Sequence, residues 1–143
     1  MVNRFVYKPD NQDIYLFLGL LFTIYLTIRA IVIPITIDEA GTYYNYMPRS
    51  VADILLFNGD PSPNNHILNT LSMKLFTALF GTTTFVVRLP NLMGFLLFYT
   101  AAVRLFTLMF KTRILVIAAL LVLLCNPYLL DFFAVARGYG LSI

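Results

Sequence analysis

The sequence predicts an all-α integral membrane protein. Of its 143 residues, 59% are hydrophobic and 12% are charged, whereas an ordinary soluble domain carries about 25% charged residues. The mean hydropathy is +0.80, and several long apolar runs approach the roughly 20 residues that a transmembrane helix needs. A soluble domain of this length has too large a surface for its volume to bury all of these runs in one core.

We predict three transmembrane helices, at about residues 14–37, 87–110 and 114–131. The first carries Arg29 near its end, where we expect the side chain to snorkel to the lipid headgroups; the alternative is that its charge faces a polar cavity. The second begins near Arg88 and Pro90. The third is uncharged until Asn126-Pro127, which predicts a kink or a helix end.

Basic residues in the short connections predict the orientation. Arg104, Lys111 and Arg113 surround the turn between the second and third predicted spans, with no acid nearby. Such clusters are typical of cytoplasmic loops. We therefore expect a multi-pass protein with a cytoplasmic amino terminus, in which residues 38–86 and the segment after residue 131 face the outside.

The outer loop, residues 38–86, contains a predicted amphipathic juxtamembrane helix from about His66 to Phe80. His66, Thr70, Lys74 and Thr77 share one face, and leucines occupy the opposite face. The segment is short and has a charge at its centre, so it suits the membrane surface better than a span. We expect Lys74 to contact lipid headgroups.

The charge pattern argues against a nucleic-acid-binding protein, and the cysteine content excludes an intrachain disulfide. The net charge is +3, but the ten Lys and Arg residues are scattered in ones and twos. Without a basic stripe, nucleic acid is not an expected partner. The single cysteine, Cys125, cannot form an intrachain disulfide.

The adjacent acids Asp38-Glu39, directly after the first span, are the first candidates for chemistry. Two carboxylates next to low-dielectric lipid repel each other, which should raise the pKa of one of the two and make it a usable general base. The alternative is structural, with Asp38 as the N-cap of the next helix and Glu39 as an acid favoured in its first turn. Both interpretations stay open.

Several other residues suit an anionic ligand. Arg88 and Arg137 lie at the outer ends of predicted spans, and an arginine fork suits phosphate. Alternatively each arginine snorkels or pairs with an acid, and Asp131 is a candidate partner for Arg137. His66, which follows Asn65, can bind a metal, a phosphate or nothing. One histidine needs carboxylates to complete a metal site, so the residues assign no cofactor and a divalent metal stays open.

The order of these motifs along the chain resembles the amino-terminal part of the GT-C membrane glycosyltransferases. More closely, it is similar to the family-39 protein O-mannosyltransferase and aminoarabinose-transferase group, in a bacterial form. The motifs are Asp38-Glu39, Asn64-Asn65-His66, Leu79-Phe80-Gly81, Val87-Arg88-Leu89-Pro90-Asn91 and Ala136-Arg137-Gly138-Tyr139-Gly140-Leu141. No single motif is specific to the family, but the ordered set covers nearly the whole chain after the first dozen residues.

The resemblance implies transfer of a sugar from a polyprenyl-phosphate donor to an acceptor on the outer face of the membrane, by an inverting displacement. It implies that Asp38 is the catalytic acid of the first outer loop, with Glu39 beside it. Many relatives carry His-Pro-Pro where this chain has His66-Ile67-Leu68, so Ile67 and Leu68 replace the two prolines. The candidate substrate-binding residues are Arg88, which matches an arginine near the donor phosphate, and Arg137, His66, Asn65 and Tyr139.

The resemblance also implies a bacterial inner membrane location, with membrane lipid, a polyprenyl-linked sugar and an acceptor protein, lipid or glycan as partners. Residues 1–143 would form the start of one polytopic domain. We expect such a fragment to be inactive alone, because three spans cannot enclose a lipid-linked donor and an acceptor. The alternative function is a transporter or a non-catalytic membrane subunit, which predicts charges buried within the spans.

Overall fold

Seven α-helices make up most of the chain in the computed structural model, which describes residues 12–58 and 65–141. Within these ranges there is no strand, so the all-α prediction is confirmed. A short 3-10 turn, Tyr139–Leu141, follows the last helix. The helices are α1 Gln12–Val32, α2 Ile37–Tyr46, α3 Val51–Leu56, α4 Ile67–Phe80, α5 Thr84–Met109, α6 Arg113–Leu124 and α7 Pro127–Ala134.

Helices α1 and α5 are long and apolar enough to cross a membrane. α1 ends at Val32 rather than continuing to residue 37, because the residue before Pro34 is disfavoured in a helix and Pro34 has no N–H to donate. A new helix, α2, then begins after Thr36, whose side chain caps it. The two long helices are consistent with the predicted membrane protein.

The third predicted span is broken. α6 and α7 meet at 65° at Asn126-Pro127, so the predicted kink is confirmed. The Asn126 side chain accepts hydrogen bonds from the N–H groups of Tyr128 and Leu129, and Pro127 occupies the first turn of α7, where its missing N–H has no consequence. The pair is a third membrane crossing only if the two bent helices form one span.

Helix α5 is the centre of the packing and contacts α1, α4, α6 and α7. The main apolar core lies where α1, α6 and α7 meet α5; its fully buried members include Leu26, Phe95, Leu120 and Phe133. α1 approaches α5 closely at Gly19, which lies against the ring of Tyr99. The Tyr99 hydroxyl donates a hydrogen bond to the carbonyl of Tyr15, which holds the ring in place.

Helix α4 is amphipathic, as predicted, with its polar face directed into the protein. Thr70 and Thr77 are buried, whereas Leu68, Leu75 and Leu79 are 60%, 57% and 65% exposed. A soluble helix shows the opposite arrangement. An apolar outer face suits contact with lipid, where polar groups must find partners inside the protein.

The expectation that Lys74 contacts headgroups is wrong. Its Nζ donates to the carbonyl of Met47 at 2.7 Å and to that of Arg49 at 2.9 Å. These carbonyls lie at and just after the carboxyl end of α2, where no further helical N–H is available to them. Lys74 therefore attaches α4 to the end of α2.

Replacing Gly19 with alanine should destabilise the fold by about 1–3 kcal/mol, because the added Cβ would lie 2.5 Å from the Tyr99 ring. Gly41→Ala in α2 is the matched control, since a Cβ there meets nothing within 4 Å. The control should be neutral or stabilise by up to about 1 kcal/mol. Thermal unfolding in detergent measures both, and equal midpoints for the two variants would contradict the close packing of α1 on α5.

Candidate functional site

A fully buried ion pair joins Glu39 of α2 to Arg88 of α5, both 0% exposed. Arg88 Nε and Nη2 each donate to a Glu39 carboxylate oxygen at 2.7 Å, which is the strong bidentate geometry. Nη1 donates to the carbonyls of Ala30 and Ile33, and Nη2 also donates to that of Pro34. Since a guanidinium has five N–H donors, every donor is used, and three go to carbonyls at or just beyond the end of α1.

Glu39 is equally saturated. Besides the two bonds from Arg88, its Oε2 accepts from the N–H of Thr36 at 2.8 Å, and its Oε1 accepts from the N–H of Ala136 at 2.7 Å. The Glu39 N–H in turn donates to the Thr36 hydroxyl oxygen, which completes a capping box at the start of α2. Thr36, rather than Asp38, is therefore the N-cap of this helix.

Glu39 is held in its ionised form. Burial raises the pKa of its carboxyl group, but the hydrogen bonds from Arg88, Ala136 and Thr36 and the charge of Arg88 outweigh burial, so the pKa lies below its ordinary value of 4.5. The rise in pKa expected for one of the two adjacent acids does not occur at Glu39. Its geometry supports a structural role, and a catalytic role for it stays a prediction.

The peptide group of Ala136 is fixed from both sides. Its N–H donates to Glu39, and its carbonyl accepts from Asn69 Nδ2 at 3.2 Å. Asn69 in turn accepts from Asn91 Nδ2 at 3.0 Å. These bonds join α2, α4 and α5 to the segment that follows α7, and so determine where the next residue, Arg137, lies.

Arg137 meets Asp38 at the protein surface. Its Nε lies 3.4 Å from Asp38 Oδ2, and the two side chains are 41% and 47% exposed. Two predicted site residues that are far apart in the sequence are thus brought together, next to the buried pair. An ion pair of this length and exposure is weak, and the Arg137 Nε atom that faces Asp38 is itself buried and makes no hydrogen bond to the described residues.

Tyr139 lies two positions after Arg137, and His66 packs against its ring. Their rings meet edge to face with centroids 4.9 Å apart, and the Tyr139 ring also packs on Phe132. Gly138 has a φ of 80°, and a Cβ at this position would lie 2.4 Å from the His66 Cβ. Both its conformation and the space available therefore require glycine. We call Asp38, Arg137, His66 and Tyr139 the Asp38 cluster.

Asn65, the remaining predicted site residue, is buried outside this cluster. Its Nδ2 donates to the carbonyl of Ile54 at 3.1 Å, and its Oδ1 accepts from the hydroxyl of Thr70. Asn65 therefore joins α3 to α4. These bonds support a structural role, and contact with substrate stays a prediction.

The expected pairing of Asp131 with Arg137 is wrong. Asp131 of α7 instead pairs with Arg29 of α1, with Nη2 and Oδ1 2.6 Å apart and side chains 28% and 47% exposed for Arg29 and Asp131. Arg29 also contacts the Tyr25 hydroxyl one turn earlier. The pair joins α1 to the second half of the bent α6–α7 pair, a role for Arg29 other than simple snorkelling.

Comparison with known proteins identifies no family for this chain. No family model, curated protein or solved structure matches the chain. Within residues 12–58 and 65–141, no three His, Cys, Asp or Glu side chains lie close enough together to hold a metal ion. The resemblance to GT-C glycosyltransferases therefore stays a prediction from the sequence motifs.

Sequence reasoning missed Asn69, Asn91 and Thr36 as members of the polar network. A signal was present for the asparagines, because a buried amide inside an otherwise apolar helix must find hydrogen-bond partners. Thr36 and Glu39 also show the spacing of a capping box. The Ala136 N–H had no signal, since every residue except proline carries a backbone N–H.

A double-mutant cycle tests the coupling of Glu39 and Arg88. Glu39→Gln or Arg88→Met alone should lower the free energy of unfolding by about 3–5 kcal/mol, because the partner is left buried and unpaired. The double variant should lose less than the sum, with a coupling of about 0.5–3 kcal/mol. Reversible unfolding in detergent supplies the four values.

The exposed pair is the matched control for this cycle. Asp38→Asn and Arg137→Gln should show a coupling below about 1 kcal/mol. Additive effects for Glu39 and Arg88, or a larger coupling in the exposed pair, would contradict the assignment of the buried pair as the structural one.

Stability should also depend on pH through Glu39. Because folding lowers its pKa from 4.5, its contribution is complete above that value and is lost as the pH falls through the folded pKa. The stability difference between wild type and Glu39→Gln should therefore shrink as the pH is lowered from about 7 to about 3. A difference that stays constant over this range would show that the Glu39 carboxylate is not what stabilises the fold.

Proposed function

We propose that this chain carries the catalytic base of a GT-C type glycosyltransferase that moves a sugar from a polyprenyl-phosphate donor to an acceptor at the membrane surface. The observation that supports the proposal is the Asp38–Arg137 pair, a half-exposed carboxylate and guanidinium beyond the end of the membrane helix α1. A base and a phosphate-binding group are the two groups that this reaction needs side by side.

In this mechanism Asp38 takes the proton from the acceptor hydroxyl. The hydroxyl oxygen forms a bond to the anomeric carbon of the sugar while the bond from that carbon to the phosphate oxygen breaks. The electron pair leaves with the polyprenyl phosphate, and the configuration at the carbon inverts. Arg137 stabilises the charge that develops on the leaving phosphate, for which its planar fork is suited.

The weakness of the Asp38–Arg137 contact supports both roles. At 3.4 Å, with both side chains more than 40% exposed and no hydrogen bond from Nε to any residue that the structure describes, the pair is weak, so little stability is lost if Arg137 binds a phosphate instead. Asp38 is then free to accept a proton. A tight buried pair would resist this exchange, as that of Glu39 and Arg88 does.

Glu39 and Arg88 act as positioning residues in this proposal. All five donors of Arg88 are engaged, so we assign it no direct contact with phosphate. Through Glu39 and the Ala136 N–H, at 2.7 Å, it holds the segment that carries Arg137 against the helix that carries Asp38. His66 and Tyr139 pack on each other next to Gly138, the residue that follows Arg137.

A transporter or a non-catalytic membrane subunit is the second candidate. The observation that favours it is the Arg29–Asp131 pair, which places opposite charges on two packed apolar helices, as pathway-lining residues in transporters often are. In that case Asp38 would not be needed for any sugar transfer.

The test replaces Asp38 with asparagine in the protein expressed from its complete reading frame. Membranes receive a panel of polyprenyl phosphates loaded with labelled hexoses or pentoses, and transfer is measured as label that leaves the lipid fraction. Loss of a general base should lower the rate by about 10²–10⁴-fold, with normal membrane insertion.

Asp53→Asn is the matched control. Asp53 lies on the same predicted outer loop but bonds to Ser50 at the start of α3, outside the Asp38 cluster. This variant should keep wild-type transfer. Full activity in Asp38→Asn, or no transfer by wild type from any donor in the panel, would favour the transporter or subunit.

A further inference from the structure

An open groove runs between the two long apolar helices, α1 and α5. Its volume is about 930 Å³, and its walls are stripes at helical spacing, Leu16 and Leu20 on α1 and Leu96, Val103 and Leu108 on α5. The four leucines are between 47% and 69% exposed. The helices touch through Gly19 and Tyr99 but leave this apolar channel along their outer side.

The groove is polar at one end only. Gln12, Arg104 and Thr107 line the end where α1 begins and α5 finishes. Farther along, the hydroxyls of Thr23 and Thr100 donate to the carbonyls of Gly19 and Leu97 in their own helices, so they offer little polarity to the groove. A long apolar wall with a polar mouth matches an amphiphile with one tail in the groove.

The polar end carries charges of both signs, with Arg104 lining the groove on α5 and Asp13 in the first turn of α1 next to Gln12. Arg104 is exposed, and among the residues that the structure describes no carboxylate pairs with its guanidinium. Lys111 and Arg113 follow just beyond the end of α5. Basic residues at the end of a span are typical of the cytoplasmic side, and the cytoplasmic leaflet is the one that carries anionic lipid.

We propose that this groove is a binding site for an anionic phospholipid of the cytoplasmic leaflet. The phosphate lies on Arg104, where the guanidinium donates to its oxygens, and one acyl chain runs along the leucines between α1 and α5. The charge of Arg104 favours this occupant over a neutral lipid or an apolar helix, because neither supplies the anion. The site lies at the opposite end of α1 and α5 from the Asp38 cluster and is independent of the proposed transfer reaction.

Native mass spectrometry of the delipidated protein, with phosphatidylglycerol or phosphatidylcholine added back, tests the headgroup. We expect the anionic lipid to bind about fivefold better, which corresponds to about 1 kcal/mol for one basic residue at the membrane surface. Arg104→Gln should abolish this preference. Arg113→Gln is the matched control, because Arg113 belongs to the same basic turn but does not line the groove, and it should retain most of the preference.

A second variant tests the tail. Leu16→Trp narrows the groove from an exposed position and leaves Arg104 unchanged, so it should lower phosphatidylglycerol binding while helix content by circular dichroism stays at the wild-type level. Equal binding of both lipids to wild type would overturn the proposal. An unchanged lipid preference in Arg104→Gln together with unchanged phosphatidylglycerol binding in Leu16→Trp would also overturn it. A loss of preference in Arg113→Gln as large as that in Arg104→Gln would do the same, because it would assign the effect to the net charge of the turn.

Discussion

Glu39 and Arg88 form an ion pair in a place that water does not reach. The arrangement of the surrounding helices depends on how completely the hydrogen-bonding groups of these two side chains are satisfied. The guanidinium donates five hydrogen bonds and the carboxylate accepts four. Their partners lie at the end of α1, the start of α2, within α5 and after α7. An unpaired buried charge costs several kcal/mol. Displacing any one of these elements removes hydrogen bonds from the buried pair and therefore destabilises the whole arrangement. The pair therefore acts as a common attachment point for helices that the chain separates widely.

Around this point the molecule places polar groups inside and apolar groups outside. α4 directs Asn69, Thr70 and Thr77 inward and its leucines outward, and α1 and α5 expose leucines along their length. In water this distribution would cost free energy on both faces. In lipid the outer face costs little, because exposed leucines contact lipid chains that are as apolar as a protein core. Hydrogen bonding and close packing then have to hold the helices together. The asparagine bridges, the Lys74 contacts and the approach of α1 to α5 at Gly19 are of this kind.

The sequence was sufficient for several of the elements and insufficient for their partners, and it did not predict that the first apolar helix ends at Val32 or that residues 51–56 form a helix. Long apolar runs, the helical period of α4 and the Asn126-Pro127 break are local signals, and each predicted a feature of the structure. The roles of Asp38 and Glu39 were not predictable, because adjacent residues on a helix point about 100° apart and only the tertiary packing decides which one faces inward. The same limit applies to Arg29, Asp131, Arg137 and Lys74. A charged residue near the end of a helix gives the same sequence pattern whether its side chain contacts lipid, a carbonyl or an acid. Which of these it contacts depends on the register between the packed helices.

The Ala136 peptide, held by Glu39 on one side and Asn69 on the other, has a consequence for biosynthesis. Residues 30–39 and Arg88 leave the ribosome well before Ala136 does, so the buried pair can form while one acceptor position on the carboxylate is still empty. The contact from Ala136 to Glu39 spans 97 positions of the chain, and contacts of such separation form late. Until it forms, Arg137 has no fixed place beside Asp38. The surface that Asp38 and Arg137 share is therefore completed only after the helices that support it have been synthesised.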